Sequence, residues 1–169
     1  SLDEDVGPLI RGEARDEVHR VVRAAVDRGA ELLFGGEIPE GPGFYYPPTV
    51  LRHTDDALEF VRKETFGPVC PVRAVRDDEE AIALANNTRY GLGATVWTSD
   101  PKDGLDVANR LEVGNVWINE CVRTLPGGEY FQGWKQSGIP SSMSRLQMFT
   151  KKKTIVAHRS CEPRAHWFC

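Results

Sequence analysis

Two histidines and two cysteines lie close together at the end of the sequence. His158, Cys161, His166 and Cys169 have the spacing His-x2-Cys-x4-His-x2-Cys. Imidazole nitrogens and thiolate sulfurs can complete the tetrahedral coordination of zinc. The residues between them lack the turn glycines that favour tight chelation, and chain ends are often frayed. A structural zinc site is therefore one hypothesis, and a disordered or crystal-ordered tail is the alternative.

Cys121 is the cysteine best placed for covalent catalysis, because it comes just after a predicted strand over residues 115–119. A catalytic thiolate needs a neighbouring base that activates it and donors that stabilise the oxyanion. Neither can be identified in the sequence beside Cys121. We therefore interpret Cys121 as a small buried thiol.

Two glycines at Gly91 and Gly93 resemble the start of a dinucleotide-binding fingerprint. That fingerprint is Gly-x-Gly-x-x-Gly, and it opens a helix directly after a strand. Val96 stands where the third glycine would be. The sequence therefore predicts that residues 91–93 are a loop that enters a strand.

The elements that must position these residues alternate between helix and strand. Apolar residues at helical spacing predict an amphipathic helix over residues 13–28, which ends near Gly29. Residues 32–34 predict a short strand, and the glycines and prolines of residues 37–48 predict an irregular segment.

Further along, strands are predicted over residues 69–75, 93–98 and 115–119. Asp77-Asp78 offers a cap for one helix, and Asp100 caps another. Aspartate is a favourable N-cap, and Pro101 suits the first helical position. This alternation is typical of crossover units in a largely parallel sheet, so the predicted fold class is α/β. No period is sustained over residues 120–150. Residues 154–156 predict one more strand, whose preceding lysines suit an exposed edge.

Composition limits the classes of function. The chain has 169 residues, 40% of them hydrophobic, and a net charge of −4 without a long basic stripe. A disordered protein, nucleic-acid partners and membrane partners are therefore not expected. No apolar run approaches the roughly 20 residues that cross a bilayer, and the acidic start is unlike a secretory signal. Four scattered cysteines favour a reducing cytoplasm.

The run Lys-Glu-Thr-Phe-Gly-Pro-Val at residues 63–69 resembles the Glu-x-Phe-Gly-Pro-Val signature of NAD(P)-dependent aldehyde dehydrogenases. Segments at 7–10, 43–51, 83–92, 114–119 and 133–138 resemble other family features in the expected order, and the resemblance weakens after Gly138. It implies the carboxy-terminal portion of the catalytic domain at residues 1–150, in a three-layer αβα fold with a largely parallel sheet. It also implies an oligomerisation-type strand and tail at residues 151–169.

The resemblance further implies that Glu64 binds the ribose hydroxyls on the nicotinamide side of NAD or NADP, with Phe66 packed nearby. A carboxylate can accept hydrogen bonds from both hydroxyls of one ribose and so fix the ring for hydride transfer. Without the flanking matches, the same pair is more simply a solvated acid and an ordinary core aromatic.

Phe131 falls where the family has an aromatic residue beside the aldehyde-binding tunnel, so the resemblance makes it a substrate-binding residue. Here the usual Pro-Phe-Gly-Gly is Tyr130-Phe131-Gln132-Gly133. Two of the four residues differ. A turn built on two glycines is disfavoured, because Gln132 would resist any positive φ that the turn requires. Plain packing is the alternative for Phe131.

In the family mechanism a cysteine thiolate attacks the aldehyde, and the thiohemiacetal passes hydride to NAD(P). Water activated by a glutamate then hydrolyses the acyl-enzyme. The cysteine, the glutamate, an oxyanion-stabilising asparagine and most of the Rossmann domain normally precede the Gly-Pro-Leu-Ile stretch at residues 7–10. We therefore assign no catalytic or metal-binding residue, and expect neither tight NAD(P) binding nor aldehyde oxidation by this chain alone.

Three hypotheses of different classes result. In the first, the chain is a portion of an enzyme that oxidises an aldehyde to a carboxylic acid, and it forms a homo-oligomer or pairs with the missing part. In the second, it is a non-catalytic module that pairs with itself or with a full-length relative through bared sheet edges and apolar surface. In the third, its tail binds structural zinc.

Overall fold

The computed structural model describes residues 6–120, 132–138, 150–151 and 153–157. The chain divides into two compact units, one up to Ala74 and one from Val75 onwards. Cys121, Phe131 and the histidines and cysteines of the predicted zinc site lie outside the described residues. The zinc hypothesis therefore stays a prediction, which metal analysis of protein purified without chelator would test.

The first unit is a three-stranded sheet with one long helix. Strand β2 lies in the middle, antiparallel to β1 and parallel to β3. Its elements are α1 (Gly12–Asp27), β1 (Glu31–Phe34), β2 (Thr49–Arg52), α2 (Glu59–Arg62) and β3 (Val69–Val72). The predicted helix and the strand after it are confirmed, whereas β2 and α2 have too few residues to show a period in the sequence.

Helix α1 forms because its apolar residues recur every three or four positions and can all be buried on one face. Val18, Val21, Val22 and Ala25 are buried, in one core with Leu51 of β2. The helix ends where Gly29 adopts a φ of 92°, and the amide of the following residue donates to the Ala25 carbonyl. The stretch predicted to be irregular, residues 37–48, lies between β1 and β2 and is irregular.

The second unit has two groups of strands. Strands β5, β6 and β8 form a parallel sheet in that order, and β4 pairs with β7 in an antiparallel pair. Its elements are α3 (Asp78–Asn86), β4 (Tyr90–Gly91), β5 (Gly93–Val96), α4 (Pro101–Arg110), β6 (Asn115–Ile118), β7 (Trp134–Lys135) and β8 (Thr154–Ala157). Helix α4 makes the crossover between the parallel strands β5 and β6, so the α/β class is confirmed.

Both predicted helix caps are present. The Asp77 carboxylate accepts a hydrogen bond from the Glu80 amide at 2.9 Å, and the Asp100 carboxylate accepts one from the Lys102 amide at 2.8 Å. Pro101 occupies the first helical turn of α4, where a missing amide hydrogen costs nothing. These short-range signals located both helices correctly.

Strand β5 is shorter than predicted, because a side chain takes over the pairing beyond Val96. Asn119 has a φ of 54°, its amide donates to the Val96 carbonyl, and its side chain bonds both the amide and the carbonyl of Thr98 at 2.8 Å. The Asn119 side chain thus takes the place of the next backbone hydrogen bonds between β5 and β6. Strand β3 is also shorter than predicted, ending at Val72.

Lys153 differs from the expectation of an exposed edge lysine. Strand β8 is at one side of its three-stranded sheet, but the Lys153 ammonium donates to the carbonyls of Ala108, Asn109 and Leu111 at the end of α4. Burial lowers the pKa of Lys153, and the negative charge of Glu112 opposes that shift. Lysine near a helix C-terminus is favourable because the last carbonyls lack partners within the helix.

None of the helices in the described part of the chain is long and apolar enough to cross a bilayer.

Candidate functional site

Glu64 and Phe66 lie in the loop that joins α2 to β3. The loop begins at Lys63, where the backbone leaves the helical conformation for an extended one. Both side chains are exposed, and Phe66 is 79% exposed. Phe66 is therefore not part of the core of the first unit.

These residues form one wall of a cleft with a volume of about 370 Å³. The opposite wall is the first half of α1, which contributes Ala14, Glu17 and Val18. The loop and the helix come from separate parts of the sequence, so only the packing of the first unit creates the cleft.

Four charged side chains connect α1 with α2 at one end of the cleft. We call Glu17, Arg20, Glu59 and Lys63 the Arg20 cluster. The Arg20 guanidinium donates to both carboxylate oxygens of Glu17 at 2.7 Å and to one oxygen of Glu59 at 3.0 Å. The other Glu59 oxygen accepts from the Lys63 ammonium at 3.1 Å. Sequence reasoning missed the cluster, although the Glu59 to Lys63 spacing of four residues was a usable signal.

The cluster keeps its carboxylates charged. A hydrogen bond from Arg20 is the main cause that lowers the pKa of Glu17, and hydrogen bonds from Arg20 and then Lys63 lower the pKa of Glu59. The Arg20 guanidinium has a raised pKa because it donates to Glu17 and Glu59. Because these groups are solvent-exposed, their attraction is screened, and the cluster is better viewed as a geometric constraint than as a large source of stability.

At the other end of the loop, the Gly67 backbone lies directly on α1. A Cβ atom at position 67 would be 2.6 Å from the Val18 Cγ2 atom, which is closer than real side chains approach. The Gly67 amide donates to the Thr65 carbonyl at 2.9 Å, and the Pro68 carbonyl accepts from the Thr49 amide at 2.8 Å. The loop is therefore held on both sides of its exposed residues.

The exposed loop residues between these contacts combine a carboxylate with an aromatic ring. Within the described part of the chain, no hydrogen bond or ion pair engages the Glu64 carboxylate. Its two oxygens can each accept a hydrogen bond, and the exposed Phe66 ring offers apolar surface beside it. A ribose with two free hydroxyls next to a flat ring fits this pair of hydrogen-bond acceptors and this apolar surface.

The segment that carries Phe131 is described only from its next residue. Gln132 is buried, its carbonyl accepts from the Asn115 side chain at 3.0 Å, and a Cβ atom at Gly114 would fall 1.7 Å from that carbonyl oxygen. The positive φ of this segment occurs at Lys135 and at Gly138, so Gln132 meets no such demand. Gly114 and Asn115 thus hold the segment on β6, a role that sequence reasoning did not assign.

The glycines of residues 91–93 belong to strands, whereas a loop that enters a strand was predicted. Gly91 pairs with Trp134 in the β4–β7 pair, and its amide donates to the Ser137 hydroxyl at 2.9 Å. Gly93 begins β5. The Gly91 amide is therefore engaged within the protein. The predicted strand after the glycines is confirmed, but Gly91 lies in a short paired strand and not in a loop.

Comparison with known proteins agrees with the sequence motifs. Residues 1–155 match the model of the aldehyde dehydrogenase family. An aldehyde dehydrogenase from Paenarthrobacter nicotinovorans is 40% identical, over 91% of this chain and 34% of that protein. The betaine aldehyde dehydrogenase of Bacillus subtilis is 37% identical, over 98% of this chain and 35% of that protein.

Solved structures give the same result. Lactaldehyde dehydrogenase from Escherichia coli matches with a TM-score of 0.75 and 38% identity, over 82% of this chain and 29% of that one. An aldehyde dehydrogenase of Mycobacterium tuberculosis, complexed with NAD+, matches with a TM-score of 0.74 and 36% identity, over 79% and 28%. The chain spans about a third of the length of the curated relatives it matches. It belongs to the aldehyde dehydrogenase family.

Proposed function

We propose that this chain is the carboxy-terminal portion of an aldehyde dehydrogenase, and that it supplies Glu64 and Phe66 to the site for the nicotinamide ribose of NAD or NADP. The observation that carries the proposal is the unengaged Glu64 carboxylate beside the exposed Phe66 ring at the edge of a cleft. Relatives of this chain include an enzyme crystallised with NAD+ and one named as dependent on NADP(+). The bound nicotinamide would supply the hydride acceptor.

The role of Glu64 would be to fix the orientation of the ribose. Hydrogen bonds that involve a charged group contribute about 1.5–3 kcal/mol each, and two on one ribose also restrict its rotation. Orientation matters because hydride transfer needs the reacting atoms aligned at close range.

We also propose that the chain alone does not oxidise aldehydes. The nucleophilic cysteine, the base glutamate and most of the Rossmann domain would come from the remaining two thirds of such an enzyme. Residues 1–150 would then complete its catalytic domain, and residues 151–169 would contain its oligomerisation strand. Substrate choice and the choice between NAD and NADP would depend largely on that other portion.

The ribose role can be tested on the 169-residue chain by NMR titration. Nicotinamide mononucleotide should shift the amide signals of residues 64–66 with a Kd on the order of 1 mM, the range expected for a few hydrogen bonds. Nicotinamide without ribose should leave those signals unchanged. Glu64→Gln should abolish the shifts, and Glu40→Gln, at an exposed acid elsewhere in the first unit, should preserve them.

A turnover assay tests the second part of the proposal. We expect no NAD(P)H formation when the chain is incubated with NAD(P)+ and a panel of aldehydes. Turnover that disappears in Cys121→Ala would show that a nucleophile is present in this chain and would overturn the proposal. Unchanged nucleotide shifts in Glu64→Gln would exclude the ribose role.

A second candidate function is assembly without catalysis. Large apolar side chains are exposed on two strands of the first sheet, Phe34 and Leu33 on β1 and Val72 on β3. Exposed apolar side chains on outer strands favour association with another chain. The partner would be a second copy of this chain or a full-length relative.

A further inference from the structure

We infer that α1 positions the Glu64–Phe66 segment, residues 64–66, through two separate contacts. One is the Arg20 cluster on the amino-terminal side of the segment, and the other is the Gly67 contact with Val18 on its carboxy-terminal side. The inference deepens the proposed function, because it concerns how the ribose-binding side chains are held. Arg20, Glu59 and Gly67 would be positioning residues and would not touch the cofactor themselves.

The first contact joins three elements through one carboxylate. Glu59 begins α2, and it accepts hydrogen bonds from Arg20 of α1 and from Lys63, the first residue after α2. Lys63 directly precedes Glu64, so the position of Glu59 fixes the point at which the segment starts. Arg20 is itself held by its two hydrogen bonds to Glu17, one turn earlier on α1.

Helix α2 needs such a constraint because it is only four residues long. A single helical turn has almost no stability of its own. The buried residues Leu58 and Phe60 attach it to the core of the first unit. Partly buried Val61 packs against the same core. The Arg20 cluster adds a further restraint between α1 and α2.

The second contact depends on the absence of a side chain at residue 67. The Gly67 backbone can approach α1 only because no Cβ is present, and a methyl group there would meet two methyl groups of Val18 at 2.6 and 3.1 Å. The Thr49 amide also holds the next carbonyl, that of Pro68, on β2. Between the two contacts, residues 64–66 line the cleft.

Hydrogen exchange on the full chain measures the first contact without any ligand. Arg20→Gln should accelerate exchange of the Gly67 and Val69 amides about threefold to fivefold, because two weak exposed ion pairs are lost. High salt should accelerate the same amides more in the unmodified chain than in Arg20→Gln, which retains only the pair between Lys63 and Glu59. Arg23→Gln is the matched control, since Arg23 is equally exposed on α1 but pairs with Glu37, away from the loop.

The second contact is tested by a substitution and its rescue. Gly67→Ala should lower the affinity for nicotinamide mononucleotide about tenfold or more, because the added methyl group displaces the loop. The affinity is measured from the amide shifts of residues 64–66. Gly67→Ala combined with Val18→Ala should restore most of the affinity, because the clashing methyl groups are gone. A loss caused only by general unfolding would not be rescued by a second substitution that enlarges a cavity in the core.

The outcomes separate this inference from the proposed function. If Glu64→Gln abolishes nucleotide binding while Arg20→Gln and Gly67→Ala change neither exchange nor affinity, the positioning inference is wrong and the ribose role stands. If the exchange and rescue results are as expected but Glu64→Gln binds normally, the contacts hold the segment and the ribose role fails.

Discussion

Tyr46 is the most deeply buried titratable phenol among the described residues, at 3% exposure. Its hydroxyl donates to the Gly36 carbonyl at 3.2 Å and lies 3.3 Å from the His19 Nδ1 atom. Burial is the main cause that raises the pKa of Tyr46 to about 12, and the negative charge of Glu37 adds to it, while Thr49 and Arg23 act in the opposite direction.

This shift predicts how stability depends on alkaline pH. The folded state holds the phenol proton more tightly than the unfolded state, whose pKa is near 10. The stabilisation is therefore complete below pH 10 and is lost as pH rises towards 12. Denaturation in urea should show a loss of about 2–3 kcal/mol across that window, at about 1.36 kcal/mol for each pKa unit.

Tyr46→Phe supplies the comparison, because it removes the ionisable group and keeps the ring. The variant should lose the part of the alkaline destabilisation that comes from Tyr46, although it is less stable at neutral pH without the hydroxyl's hydrogen bond. Tyr45→Phe, at the less buried neighbour, should retain the full alkaline loss. An identical pH profile in Tyr46→Phe and the unmodified chain would contradict the assignment.

At the scale of elements, Lys153 ties β8 to the end of α4. Lys153→Met keeps most of the side-chain length but leaves the carbonyls of Ala108, Asn109 and Leu111 without their ammonium donor. We expect a loss of about 1–3 kcal/mol in the free energy of unfolding, measured by circular dichroism in urea.

Lys151→Met is the matched control for this prediction. Lys151 is exposed and lies 5.6 Å from the centre of the Trp134 ring, so its removal should cost well under 1 kcal/mol. If both substitutions lower the free energy of unfolding equally, the hydrogen bonds of Lys153 to the end of α4 contribute no more than the loss of one positive charge.

Asn86 joins the ends of α3 and α4 in a similar way. Its side chain donates to the Arg110 carbonyl at 2.9 Å and accepts from the Glu112 amide at 2.7 Å. Asn86→Ala should therefore lower the free energy of unfolding by about 1–2 kcal/mol, because both backbone groups lose their partner. Asn87→Ala, one residue later and exposed, should stay within about 0.5 kcal/mol of the unmodified chain. Both variants are measured by urea denaturation. Equal free energies of unfolding would contradict the role assigned to Asn86.

At the scale of the whole molecule, the exposed apolar strands predict association. Phe34 is 62% exposed on β1. If these strands form a contact with a second copy, light scattering should show a mass above that of the monomer, and Phe34→Ser should shift the population towards monomer. Phe66→Ser removes an even more exposed ring at the proposed ribose site and should leave association unchanged. A strictly monomeric and well-folded chain would count against assembly.

Local patterns in the sequence were sufficient for much of the fold. The stripe of Val18, Val21, Val22 and Ala25 predicted α1, because burial on one face requires that period. Asp77 and Asp100 marked the starts of α3 and α4, because their carboxylates bond to amides within the first turn. The α/β class followed from the alternation of such elements, and the family followed from the motif at residues 63–69 and its neighbours.

Tertiary structure alone decided how the candidate site is built. Nothing in the sequence near Glu64 indicates that Arg20, 44 positions earlier, bonds to Glu59, which precedes Glu64 by five residues. The same holds for the contact between Gly67 and Val18 and for the attachment of Lys153 to α4. Sequence patterns report interactions within one turn or one strand, because those repeat with the period of the backbone. Contacts between distant segments have no period, so they are determined only when the core packs and brings the two surfaces together.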